Sequence, residues 1–178
     1  MSHAARQVGW CLDKAKREIE ECRKLGKQPK HRGLLETEPD IKAAKEHIRK
    51  AEHNFEGLIY TEKGGFTDLA MSTGFYAVYH CMLAILAAFG YESRNQTCTI
   101  AAIECLREAG KIDIDEKYIL MLTPDEEGSE FRITDLREEY TYGMRIKAQR
   151  TDLETLKEVC KDVIYSAKNI IYGRQKEL

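Results

Sequence analysis

Residues 69–89 read LAMSTGFYAVYHCMLAILAAF and form the most apolar stretch of the 178-residue chain. A helix of this length is long enough to cross a membrane. Five polar side chains interrupt its first half, namely Ser72, Thr73, Tyr76, Tyr79 and His80. A helix that is apolar nearly all round is also typical of the centre of a helical protein. We therefore predict a buried central helix, with no membrane as a partner.

Upstream of this stretch, apolar residues recur every three or four positions, which is the period of an amphipathic helix. The pattern predicts one helix over about 8–25 and a second over about 41–58, the second broken at Gly64-Gly65. Thr37-Glu38-Pro39-Asp40 has the composition of a helix start. Strand signals are almost absent from the chain.

The downstream half continues the helical pattern. A helix is predicted over about 96–109, followed by a short turn of helix at about 116–122. Two more helices are predicted, one around 137–142 with Thr134 as its cap and one over about 151–172. Thr151-Asp152-Leu153-Glu154 resembles a capping box for the last helix. The prediction is an all-α, up-and-down bundle of five or six helices that forms one domain over residues 1–178.

Six cysteines are scattered along the chain without a C-x-x-C pair: Cys11, Cys22, Cys81, Cys98, Cys105 and Cys160. The N-terminus is polar and lacks the apolar core of a secretory signal. An even cysteine count does not imply disulfides in this context. We therefore interpret the cysteines as small core residues and expect a cytoplasmic protein.

The net charge of −2 gives no general attraction to nucleic acid, so any such contact must come from a local patch. A basic patch lies between the first two helices and contains Arg23, Lys24, Lys27, Lys30 and Arg32. Such a loop can follow a phosphate backbone, but it is more often a solvated connection. It also lacks the interleaved aromatic residues of a single-strand binding surface. An acidic cluster at 125–130 has no calcium-loop pattern, and we expect no metal and no cofactor.

Residues 137–142, REEYTY, follow the acidic cluster at the predicted start of a helix. Arg137 has the chemistry to hold a phosphate, because its planar guanidinium donates paired hydrogen bonds. In the central helix, Tyr76, Tyr79 and His80 are predicted to share one face. These polar-tipped rings form either a hydrogen-bonded layer of the core or a stripe that faces a ligand or a second subunit.

Three motifs together resemble the HEPN family, whose name stands for higher eukaryotes and prokaryotes nucleotide-binding. They are FYAVYH at 75–80, GYES at 90–93 and LREEYTY at 136–142. The resemblance spans about 57–174, and residues 1–35 look like an extension made of a helix and the basic loop. It implies a helical bundle that commonly forms homodimers and is often encoded beside a nucleotidyltransferase partner.

Many members of this family resemble RNases with an R-x(4–6)-H motif at the dimer interface. That resemblance makes Arg137 the phosphate ligand, but Tyr142 stands five positions on, and no histidine follows His80. A phenol with a pKa near 10 is a poor general base at neutral pH. The segment fits better with a family branch that carries R-x-x-A-D-Y, with Thr141 in place of the acid.

We therefore expect a weakly catalytic or non-catalytic module that binds a nucleotide, RNA or a partner nucleotidyltransferase, as in a toxin–antitoxin-type pair. Its predicted ligand-binding residues are Arg137, Tyr140, Tyr142, Tyr76 and Tyr79. One alternative is a metal-independent RNase toxin in which His80 assists Arg137. Another is a structural dimerisation subunit with no ligand. For Arg137 itself, the alternative is a pairing with a nearby carboxylate such as Glu138 or Asp135, with both tyrosines packing.

Overall fold

The computed structural model describes residues 2–123 and 131–177, which contain seven helices and two short strands. The chain is all-α apart from one small ladder, as predicted. The elements in chain order are α1 (His3–Lys24), β1 (Leu34–Glu36), α2 (Ile41–Lys63), α3 (Thr67–Ala88), β2 (Tyr91–Ser93), α4 (Gln96–Glu108), α5 (Glu116–Leu120), α6 (Ile133–Tyr142) and α7 (Arg150–Glu177).

Helix α3 lies at the centre of the bundle, as the apolar stretch predicts. It packs most extensively on α2 and α7, and it also contacts α6 and α4. It is the one helix in the described chain that is long and apolar enough to cross a membrane, but most of that span is buried inside the protein. Its apolarity is therefore accounted for by the neighbouring helices that cover it.

The two strands were not predicted. β1 and β2 pair antiparallel, with Leu34 opposite Ser93 and Glu36 opposite Tyr91. Gly90 precedes β2 with a φ of +80°, and its carbonyl accepts a hydrogen bond from the Thr37 amide at 2.8 Å. The ladder fastens the segment before α2 to the segment after α3, so it closes one end of the α2–α3 pair.

The helix starts agree with the sequence in part. Asp40 caps α2, because its Oδ1 accepts a hydrogen bond from the Ala43 amide at 2.8 Å. The predicted cap at Thr134 is wrong: α6 already begins at Ile133, and the buried Thr134 hydroxyl donates to the Leu122 carbonyl. The predicted capping box is also wrong, because Thr151 lies inside the first turn of α7.

The interpretation of all six cysteines as unpaired is corrected by a disulfide. Cys11 of α1 and Cys98 of α4 are both fully buried and bonded to each other, with Cα atoms 5.7 Å apart. The other four cysteines are free. The two cysteines are 87 residues apart in the sequence, so their spacing did not predict the bond. Helix α1 also packs on α4 and β1.

Candidate functional site

Arg137 lies on α6 with its guanidinium against the central helix. The guanidinium carbon is 4.8 Å from the centre of the Phe75 ring, a cation–π distance. The side chain is only 14% exposed and donates to the Glu138 carboxylate at 3.1 Å. Its Nε is buried and has no hydrogen-bond partner among the described residues. Arg137 therefore pairs with Glu138, as one alternative expected, but its hydrogen-bonding capacity is not filled.

Two hydrogen bonds hold the end of α6 and the following segment against α3. The hydroxyls of Ser72 and Thr141 are 2.8 Å apart, and the Ala148 amide donates to the Thr67 hydroxyl at 2.9 Å. These contacts place the residues after α6 beside the start of α3. The C-terminal end of α6, the helix that carries Arg137, is therefore anchored to α3.

The tyrosines of α6 have different environments. Tyr140 is buried in the hydrophobic core, whereas Tyr142, the last residue of α6, is 77% exposed. A helix turns by about 100° per residue, so Tyr142 projects about 140° away from Arg137. Within one chain, Arg137 and Tyr142 consequently do not face a common cleft.

An aromatic cluster surrounds Phe75. The ring of Tyr79 stacks on Phe75 at 5.8 Å between centroids, and the ring of Tyr76 meets its edge at 5.2 Å. The Tyr79 hydroxyl lies 3.1 Å from the hydroxyl of Thr99, and burial raises the pKa of Tyr79. Tyr79 is therefore a satisfied core residue, while Tyr76 keeps 44% of its surface exposed.

His80 faces a different helix. Its Nδ1 lies 3.0 Å from Nδ1 of His47 on α2, so one ring donates and the other accepts. Burial lowers the pKa of both histidines, and His47 and Lys50 add to the effect on His80, bringing its pKa to about 4. Both rings are consequently neutral at pH 7.

The prediction that Tyr76, Tyr79 and His80 share one face is wrong for His80. Tyr79 bonds to α4, whereas His80 bonds to α2. Phe75, which carries the guanidinium of Arg137, projects about 140° away from His80 on α3. The structure therefore places Arg137 on Phe75, whose ring also contacts Tyr76 and Tyr79, and it leaves His80 outside that group.

The basic patch is exposed, but its loop is anchored. The side chains of Arg23, Lys24, Lys27, Lys30 and Arg32 are all exposed. His31, in the middle of the loop, turns inward and lies 3.4 Å from the Glu92 carboxylate, and the Arg32 amide donates to Glu18. The loop therefore presents its cations from a fixed backbone, although no aromatic side chain alternates with them.

Metal-ligating side chains do not gather in groups of three or more within residues 2–123 and 131–177. The acidic cluster at 125–130 lies outside the described residues. Sequence reasoning missed two residues of the site region. They are Phe75, which lies against the Arg137 guanidinium, and His47, whose partner His80 lies 33 residues away along the chain.

Comparison with known proteins agrees with this architecture. The family model for the HEPN domain matches residues 44–173, from the first turn of α2 to four residues before the end of α7. A UPF0332 protein of Archaeoglobus fulgidus is 32% identical over 117 residues, which cover 65% of this chain and 76% of the relative. Helix α1 and the ladder strand β1 precede the matched region. This protein therefore belongs to the HEPN domain family.

Proposed function

We propose that this protein is a HEPN-type binding module rather than a nuclease, and that it binds a phosphate-bearing ligand, a nucleotide or RNA, through Arg137. The observation that carries the proposal is the guanidinium fixed on Phe75 with its buried Nε unpartnered among the described residues. Because the Nε is buried, a bound phosphate would be held by the terminal N–H groups of the guanidinium, which form strong charge-assisted hydrogen bonds.

The position of the histidines supports binding over catalysis. RNA cleavage without a metal needs a general base within hydrogen-bond reach of the attacking hydroxyl. His80 is bonded to His47 on α2, whereas Arg137 lies on α6 over Phe75. Within one chain, His80 therefore does not lie beside Arg137, which disfavours an RNase that uses these two residues together.

The surface near the end of α6 supports self-association. Exposed large hydrophobic residues occur at the start of α3 and along the segment after α6 that is tied to it: Phe66, Leu69, Tyr142, Met144 and Ile146. Exposed apolar side chains that cluster on a surface are typical of protein interfaces. The proposed occupant is a second copy of the chain, which would set two Arg137 side chains near one interface.

The first experiment measures ligand binding and cleavage on the same samples. Labelled RNA and nucleoside phosphates are titrated against the wild-type chain, Arg137→Ala and Arg137→Lys. Arg137→Ala is expected to weaken binding about tenfold or more, in line with the loss of a charge-assisted contact. Arg17→Ala, at an exposed arginine of α1, is the matched control. RNA cleavage that is lost in both Arg137→Ala and His80→Ala would instead favour the nuclease.

The second experiment measures mass in solution by light scattering. Met144→Glu with Ile146→Glu is expected to convert a dimer to a monomer, because two buried charges oppose association. Tyr60→Ala, at another exposed aromatic residue, is expected to leave the mass unchanged. A wild-type monomer at all concentrations would contradict the self-association. Co-purification of a nucleotidyltransferase that depends on the same residues would assign the face to that partner.

A further inference from the structure

A long groove runs between α2 and α7 and shares no residue with the Arg137 site. Two clefts, of about 290 and about 580 Å³, meet at Lys168 and together form it. Cross-helix ion pairs between Lys168 and Glu52 and between Lys157 and Glu62 show that the two helices run antiparallel. The groove therefore extends along the bundle instead of forming a closed pocket.

The groove has an apolar floor and a cationic end. Ile48 of α2 and Ile164 and Ile171 of α7 are buried beneath it. At one end the charged lining residues are Lys45, Arg49 and Lys168. Arg49 pairs with Glu46 and Lys168 with Glu52, so Lys45 is the lining cation of that end without an ion pair among the described residues. At the other end Lys161 and Lys168 are accompanied by Glu52 and Glu56. The positive charge of the lining therefore favours an anion at the first end, where Lys45 lies.

Aromatic side chains alternate with the cations along α7. Tyr165 and Tyr172 both line the groove, with 69% and 61% of their surfaces exposed. The two tyrosines are seven positions apart along the chain, as are Lys161 and Lys168. This spacing returns to nearly the same helix face about 10 Å further on. The pairs Lys161–Tyr165 and Lys168–Tyr172 therefore repeat along nearly the same face of α7.

We propose that this groove binds single-stranded RNA, with bases stacked on Tyr165 and Tyr172 and phosphates bound by Lys45, Arg49 and Lys168. A repeated pair of ring and cation matches a polymer whose repeating unit is a base and a phosphate. About 10 Å corresponds to roughly three stacked nucleotides, or fewer in an extended strand. The basic patch between α1 and β1 has the charge for this role without the rings.

The ion pair between Lys168 and Glu52 provides a test in which a substitution is expected to tighten RNA binding. This pair is partly exposed, so it contributes little to stability. A bound phosphate must compete with the Glu52 carboxylate for the Lys168 ammonium. Glu52→Gln is therefore expected to tighten RNA binding about twofold or more, because it frees Lys168 and removes a negative charge from the groove.

The test is a titration of a labelled single-stranded RNA of about 12 nucleotides, a length typical of such surfaces. Tyr165→Ala and Tyr172→Ala are each expected to weaken binding about fivefold or more. Lys45→Ala is expected to lower the slope of log affinity against log salt by about 0.7. Tyr60→Ala and Lys14→Ala, at residues that do not line the groove, are the matched controls.

The outcomes separate this proposal from the Arg137 site. RNA binding that weakens only in Arg137→Ala, with both tyrosine variants unaffected, would overturn the groove and leave the Arg137 proposal standing. Binding that weakens only in the tyrosine variants would support the groove and count against Arg137. Equal affinity for poly-glutamate, or for a mononucleotide, would overturn the assignment to single-stranded RNA. A change of oligomeric state in the tyrosine variants would instead assign the groove to self-association.

Discussion

The imidazole rings of His47 and His80 share a hydrogen bond across the α2–α3 contact, with their Nδ1 atoms 3.0 Å apart. One Nδ1 must donate and the other must accept, so at most one of the two rings has its proton on Nδ1 while both are neutral. Protonation of both rings would place two N–H donors against each other. The contact between α2 and α3, the most extensive helix pair of the described chain, therefore contains a hydrogen bond that requires at least one of the two rings to be neutral.

The first prediction concerns pH. The pKa of His80 falls to about 4 in the folded protein from an ordinary value near 6.5. Between about pH 6.5 and pH 4 the unfolded chain therefore binds more protons, so stability falls as the pH drops through this range, and the contribution of His80 levels off below about pH 4. The shift corresponds to about 3 kcal/mol, and solvent screening of the half-exposed ring reduces our expectation to about 1–2 kcal/mol. Urea unfolding of the wild type at about pH 7 and pH 4.5 measures it.

The variant His80→Asn tests the same relationship, because asparagine keeps a hydrogen-bonding group near the Nδ1 position and does not titrate. The difference in unfolding free energy between the two pH values should shrink relative to the wild type. Carboxylates elsewhere contribute equally to both proteins and cancel in this comparison. An unchanged difference would show that the pair does not control the acid response.

The second prediction concerns the disulfide. The bond between Cys11 and Cys98 closes a loop of 87 residues. Reduction, or Cys11→Ser with Cys98→Ser, is expected to lower the free energy of unfolding by about 4 kcal/mol, since the open chain regains loop entropy. Thiol titration after denaturation should find four reactive groups without reductant and six with it. Cys22→Ser is the control, and six thiols in the oxidised sample would contradict the bond.

The third prediction concerns packing at Gly74 on α3. A Cβ at this position would lie 2.5 Å from Leu156 Cδ2 and 2.7 Å from Leu58 Cδ1. Gly74→Ala is therefore expected to destabilise the protein by about 1–3 kcal/mol despite the better helix propensity of alanine. Gly57→Ala is the matched control, because its nearest neighbour is Thr73 Cγ2 at 3.8 Å. That substitution should stabilise the protein by about 0.5–1 kcal/mol, and chemical denaturation measures both.

The fourth prediction separates ligand binding at Arg137 from stability. Arg137→Met keeps an apolar chain over Phe75 and removes the buried Nε that lacks a partner among the described residues. The free energy of unfolding is expected to stay within about 1 kcal/mol of the wild type, or to rise. Binding of phosphate-bearing ligands should be lost in the same variant. A large loss of stability would indicate a structural role for the guanidinium.

The helices could be predicted because their signals are local. Apolar periodicity predicted α1, α2 and α7, and the glycines at positions 26, 64 and 65 lie where α1 and α2 end. Caps were harder to predict, since Thr134 and Thr151 each resemble a cap in sequence. For Thr134 a tertiary contact is decisive: its hydroxyl donates a hydrogen bond to the Leu122 carbonyl, so that side chain is not available for the helix start.

The parts that could not be predicted join residues far apart along the chain. β1 and β2 contain three residues each and are separated by two helices, so neither shows a strand pattern by itself. The His47–His80 bond and the Cys11–Cys98 bond likewise depend on which helix faces come together. At the Arg137 site, the motif predicted the arginine, but only the packing of α6 on α3 revealed that Phe75 carries it.

The bond between Cys11 and Cys98 also determines what a single cut in the chain can release. Every peptide bond between these two residues, including those of the exposed basic loop, lies inside a covalent ring. A protease that cuts once within that loop would produce two pieces that stay joined through sulfur. The amino-terminal helix would separate from the HEPN-matched region only after a reductant had opened the ring.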